Sequence, residues 1–229
     1  MDANTKTILF FVVFFIDLFS PNILFVYARE IGNKPLFTYK QKTEKGPAEW
    51  GKLDPQWKVC STGKIQSPID LTDERVSLIH DQALSKHYKP ASAVIQSRGH
   101  DVMCHWHSPS EHTINGTSYD LELHMVHTSA SGKTTVVGVL YKLGEPDEFL
   151  TKILNGIKGV GKKEIDLGIV DPRDIRFETN NFYRYIGSLT IPPCTEGVIW
   201  TVQKRFKCLL PNLILISNFS WIFSYYYVI

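Results

Sequence analysis

The sequence predicts one mainly β (α+β) domain with few helices, on three observations. Two short stretches, 104–107 and 121–127, alternate apolar residues with histidines or carboxylates, which is the period of a strand. The run 134–141, TTVVGVLY, is rich in β-branched residues and reads as a buried strand. Only 146–157 switches to helical spacing, with Phe149, Leu150, Ile153, Leu154 and Ile157 on one face, Pro146 at the start and Gly159 and Gly161 beyond the end.

The elements follow in chain order. Residues 37–57 are rich in Gly, Pro, Lys and aromatics without a period, and read as an irregular segment wrapped on the domain. Residues 93–96 form a strand leading towards His100. The two histidine strands come next, joined by 113–118, then the 134–141 strand, the helix and a further strand at 198–202. No internal repeat is present.

The stretch 104–127, CHWHSPSEHTINGTSYDLELHMVH, holds five of the eight histidines. On a strand, His105 and His107 share one face and Trp106 takes the other. In the second strand Glu122, His124 and Val126 share a face, while Leu121, Leu123 and Met125 turn to a core. If the strands pair, three imidazoles converge, the ligand set of a catalytic zinc with an open position. A ligand imidazole gives its other N–H to a carboxylate or carbonyl, and Glu122 is placed to take it. Spacing alone leaves a second reading open, in which these are ordinary buried or surface imidazoles.

A net charge of +2 with 21% charged residues implies no polyanionic partner and argues against nucleic-acid binding. The apolar run 8–18 after Lys6, followed by Val26-Tyr27-Ala28, reads as a signal peptide cleaved after Ala28. Asp17 and Pro21 interrupt that run before it reaches spanning length. The predicted destination is the secretory pathway and the cell exterior, with the plastid stroma as the alternative. Four cysteines in an exported chain point to disulfide chemistry. Asn115-Gly116-Thr117 is a glycosylation sequon, a tight hairpin turn, or both.

Five blocks, in order along the chain, resemble the α-class carbonic anhydrases, especially their secreted plant-type branch. They are GPAEWGKLDPQWKVC (46–60), GKIQSPIDL (63–71), SRGHDV (97–102), HWHSPSEHTINGTSYDLELHMVH (105–127) and YIGSLTIPPCTEGVIW (185–200). The resemblance implies a twisted, largely antiparallel central sheet in a domain over 29–206. It implies Zn2+ on His105, His107 and His124, and attack of zinc-bound hydroxide on CO2 to give bicarbonate and a proton. Zinc lowers the pKa of its water to about 7, a figure that comes from carbonic anhydrases themselves. Thr190 matches the threonine that accepts a hydrogen bond from that hydroxide, and Glu111 the carboxylate that takes the threonine proton. His100 matches the proton shuttle, and Val126, Val136, Leu189 and Trp200 the apolar wall where CO2 rests. His112 and His127 match structural positions, Tyr39 and Gln66 less directly catalytic ones. Cys60 and Cys194 match a disulfide, Cys104 reads as a buried free thiol, and Cys208 has no assigned partner.

The chain departs from the family in two places. Between His100 and His105 roughly two strands are absent, and Met103 stands where a glutamine usually orients the first imidazole. A shuttle five residues from a ligand needs an abrupt turn between the two. After Phe206 comes the apolar tail 207–229, whose residues from Cys208 onwards carry no charge. Three readings of it follow: a membrane tail anchor, a replacement core segment, or translated non-coding sequence, the last being favoured together with a skipped central exon. The expected function is zinc-dependent CO2 hydration, impaired by the missing sheet. The alternatives are a catalytically silent storage or carbohydrate-binding relative and a non-functional truncated isoform.

Overall fold

The computed structural model describes residues 37–74, 76–80, 84–96, 104–145, 147–157, 165–176, 180–205, 207–209 and 222–225. For residue 80 and for 91–96, 104–105, 154–157, 165–166, 209 and 222–225 the description concerns the backbone. The expected signal segment, His100 and Met103 lie outside the described residues.

Strands dominate, as the alternation predicts. In chain order they are β1 (Asp70–Leu71), β2 (Ser77–His80), β3 (Ala91–Gln96), β4 (Cys104–His107), β5 (Thr113–Ile114), β6 (Leu121–Thr128), β7 (Thr134–Leu143), β8 (Ile165–Val170), β9 (Asn181–Ser188), β10 (Glu196–Gln203), β11 (Lys207–Leu209) and β12 (Ile222–Tyr225). All but β1 and β5, which pair with each other, form one sheet in the order β2-β9-β10-β7-β6-β4-β12-β3-β8, with β11 also on β7.

The sheet is mixed. Most neighbours are antiparallel, but β7 runs parallel to β10 and to β11. The chain leaves β7 through a helix and two further strands before it returns, a crossover rather than a hairpin, and crossovers make parallel neighbours.

β6 and β7 are buried on both faces, so they separate two apolar cores. On one side Trp106, Leu123, Met125 and Val139 pack against Phe149, Leu150 and Ile153 of α3 (Glu148–Ile157, the third helix after the one-turn α1, Trp50–Leu53, and α2, Val59–Thr62). On the other side Val136, Leu140, Val198 and Trp200 form the second core. The helix begins slightly later than its apolar pattern suggested because Asp147 caps it, its Oδ1 accepting from Leu150 N at 2.9 Å.

The hairpin turn at Asn115-Gly116 is present. Asn115 (φ 49°) and Gly116 (φ 72°) are both left-handed between the paired Ile114 and Thr117, a two-residue turn that favours this dipeptide. The irregular 37–57 segment packs Phe37, Trp50 and Trp57 against Ile191 and Cys194. Trp50 Nε1 donates to the carbonyls of Thr38 and Lys45. The expected Cys60–Cys194 disulfide is formed, joining positions 134 residues apart, and Cys208 is a free thiol.

Residues 207–209 of the tail pair with β7, and 222–225 lie in the sheet between β4 and β3. No helix among the described residues is long and apolar enough to cross a membrane.

A native bridge over so long a loop contributes roughly 2–5 kcal/mol. Cys194→Ser should therefore lower the urea midpoint by the equivalent amount. An unchanged midpoint would mean that aromatic packing alone holds the N-terminal segment.

Candidate metal centre

The antiparallel pairing of β4 with β6 sets His105 opposite His124 and His107 opposite Glu122. Directly opposed residues share a face of the sheet, so the register positions of all three candidate histidines fall on the side of the second core. For His105 the backbone placement is the whole of the description. His107 and His124 are buried, with ring centroids 4.8 Å apart. Glu111, on the loop after β4, closes the group: its Oε2 lies 3.5 Å from His107 Nε2 and 3.8 Å from His124 Nδ1. That Oε2 is buried and accepts no hydrogen bond.

Which nitrogen His124 presents is decided behind the ring. Glu122 is fully buried, and its Oε1 stands 2.7 Å from His124 Nε2 and 2.6 Å from His112 Nδ1, while Oε2 accepts from His112 N at 2.8 Å. Burial alone would push the Glu122 carboxyl up, but the two imidazoles and their N–H groups outweigh it and hold it well below the usual carboxylate range. An ionised carboxylate only accepts. Both imidazoles must therefore donate to it, His124 from Nε2 and His112 from Nδ1. The order continues outward. His112 Nε2 accepts from Tyr185 Oη at 2.7 Å, Tyr185 Oη takes the Ser67 hydroxyl at 2.8 Å, and Ser67 Oγ receives Ser188 N at 3.0 Å. In a neutral His124 the remaining lone pair is on Nδ1, the atom turned towards His107 and Glu111.

Two acid–imidazole clusters thus share His124, and they differ in kind. His112, Glu122 and His124 are closed by N–H···O bonds whose donors are already committed. His107, Glu111 and His124 bring two imidazole nitrogens and a carboxylate oxygen to within 4.8 Å of one another without such closure. Nitrogen donors in a buried pocket, one held in its tautomer by a carboxylate, suit zinc.

Glu111 is also tied to Thr190, whose hydroxyl donates to it. Burial first, and then the charge of Glu122, push the Glu111 carboxyl up to about 8, against the pull of that hydrogen bond and of His112. A positive charge among the facing nitrogens would favour its ionised form. Of the four apolar wall residues, Val136 and Trp200 belong to the second core, and Val126 and Leu189 pack against it. The Trp200 ring lies 4.8 Å from that of His124.

His127 lies outside the group, its Nε2 bonded to Tyr88 Oη at 2.9 Å. Gln66 is turned to Glu196 and the Cys194 carbonyl, and Tyr39 sits with its ring 5.9 Å from that of His107. Sequence reasoning missed Tyr185, Ser67 and Gly138. The first two lie inside quoted motifs, but nothing local marks them as partners of a histidine more than forty residues away in the chain. Gly138 stands opposite His124 on β7, and a Cβ there would approach Glu122 Oε1 to 3.3 Å. The same Cβ would meet Val202 Cγ2 at 3.2 Å, so a small residue leaves room for the packed valine as well as for the carboxylate.

The model of the eukaryotic-type carbonic anhydrase family matches residues 96–209. Alpha carbonic anhydrase 6 of Arabidopsis thaliana is 84% identical over 253 aligned positions, covering 98% of this chain and 97% of that protein. Among solved structures, dioscorin complexed with ascorbate aligns with a TM-score of 0.72 at 34% identity, over 82% of this chain and 97% of that one. A hyperthermostable carbonic anhydrase identified from an active hydrothermal vent chimney aligns with a TM-score of 0.65 at 30% identity, over 79% and 88%. With a sheet, a buried imidazole cluster and relatives that all point one way, the chain belongs to the α-carbonic anhydrases, the family of enzymes that hydrate carbon dioxide.

Proposed function

We propose that this chain hydrates carbon dioxide reversibly to bicarbonate at a zinc ion held by His105, His107 and His124. The observation that carries the reading is the Glu122 carboxylate, which holds the His124 proton on Nε2 and so leaves Nδ1 as a donor beside His107 Nε2. Zinc bound there supplies Lewis acidity, which makes water a nucleophile near neutral pH.

The chain's own residues do the rest. Thr190 commits its proton to Glu111, so its hydroxyl oxygen can only accept; it orients the attacking O–H and fixes which lone pair faces the carbon. CO2 is small and uncharged, and Val126, Val136, Leu189 and Trp200 offer it apolar surface next to the imidazoles. Return of the proton to solvent is assigned to His100, whose ordinary pKa suits exchange with buffer. Because methionine at 103 cannot hydrogen-bond an imidazole as a glutamine would, we expect weaker metal binding and slower turnover than in relatives with a glutamine there.

A silent storage or carbohydrate-binding role fits less well. A buried carboxylate that orients a lone pair towards a second imidazole has a use in binding metal and none in binding sugar. We further place the chain in the secretory pathway, where the Cys60–Cys194 bond is stable and Asn115, exposed at its turn, is open to glycosylation.

The purified full chain should carry about one zinc and accelerate CO2 hydration in a stopped-flow pH assay, with His124→Ala losing both. One zinc per chain without acceleration over buffer would overturn the reading. Glu122→Gln, which no longer holds a negative acceptor behind His124, should weaken zinc affinity by about 10–100-fold in a chelator competition. An affinity unchanged by that substitution would show that the carboxylate does not orient the ligand.

A further inference from the structure

The strand order contains one displacement that the rest of the fold does not require. β3 and β4 are consecutive in the chain and joined by seven residues, 97–103, yet they are not neighbours. β12, which follows them by more than a hundred residues, lies between the two and is antiparallel to both. Its Ile222 pairs with Gln96 on one side and with His105 on the other. Among the described residues, without β12, β3 would have β8 as its only neighbour and β4 would have only β6, so the ligand strand would be an open sheet edge.

Two observations bear on why a strand from elsewhere in the chain fills that slot. The relative from Arabidopsis aligns over 253 positions although this chain has 229 residues, so at least 24 positions of it have no counterpart here. The segment also has the composition of an interior strand. From Cys208 to Ile229 there is no charged residue, and the stretch WIFSYYYVI is aromatic and β-branched, which suits a strand buried on both faces. Reach is no obstacle. β11 lies on the far side of β7 from β6, about four strand spacings or roughly 19 Å from the slot. The twelve residues 210–221 extend to about 40 Å.

The structure assigns to 222–225 the role of a substitute strand: the chain's own apolar tail closes the sheet beside the strand that carries His105 and His107. It supplies backbone partners to β3 and makes β4 an interior strand instead of a free edge that would template aggregation. The occupant is the tail of the same chain. A second copy's tail would produce a swapped dimer, and a membrane would leave the slot empty.

The register makes this testable. Ile95 and Phe223 are directly opposed, whereas a one-residue shift moves a side chain to the other face. In the full chain, Ile95→Cys with Phe223→Cys should form an intrachain disulfide under mild oxidation, identified by mass spectrometry of the unreduced digest. Ile95→Cys with Ser224→Cys should form several-fold less. Equal yields, no bond, or a bond only between chains would each overturn the assignment. Zinc content of the cross-linked protein, read separately, keeps this inference distinct from the proposed function. A bond without zinc leaves the substitute strand standing and removes the metal reading, while zinc without a bond does the reverse.

Discussion

One buried carboxylate sets the terms for the centre of this molecule. Glu122 is removed from water, and a charge so placed is tolerated only because His112 and His124 both donate to it. The requirement propagates in two directions. Outward, His112 must accept from Tyr185, which in turn receives Ser67, so that a chain of hydroxyls is ordered by a single negative charge. Inward, His124 keeps only Nδ1 for a ligand. Fold and chemistry meet at this residue.

The sheet makes that arrangement possible. β6 needs neighbours on both sides to be an interior strand, and it needs Gly138 across from His124 to admit the carboxylate. The register between β4 and β6 then sets His105 and His107 opposite His124 and Glu122. β4 is itself flanked on its other side by the tail strand β12. The active-site loop is secured separately, by the disulfide that joins Cys194 to the N-terminal segment and by Glu196 accepting from Lys64 N and Ile65 N.

Much of the site was legible because its signals are local. His105, His107, Glu122 and His124 lie on two strands of period two, and the family resemblance supplied Glu111, Thr190 and the disulfide. Other parts were not legible, for physical reasons. β9 reads NFYRYIGS, where Phe182 and Tyr183 are adjacent and both buried, so no alternation betrays a strand. β8 carries Gly168 at φ 65° and an exposed Ile169, which break its pattern. Tyr185 and Gly138 matter through pairings made only in the folded chain. The pairing of 222–225 was not legible because an uncharged run has the same composition whether it enters a membrane or the middle of a sheet.

The central claim is that the imidazole nitrogens turned to one point by Glu122 form a zinc site. X-ray absorption at the zinc edge of the metal-loaded full chain addresses it most directly, because imidazole scattering differs from that of carboxylate or thiolate. The account predicts a first shell dominated by imidazole nitrogen with no sulfur, and loss of that pattern in His124→Ala. A shell containing sulfur, drawn from Cys104 beside His105, or one made mainly of carboxylate oxygen, would contradict it.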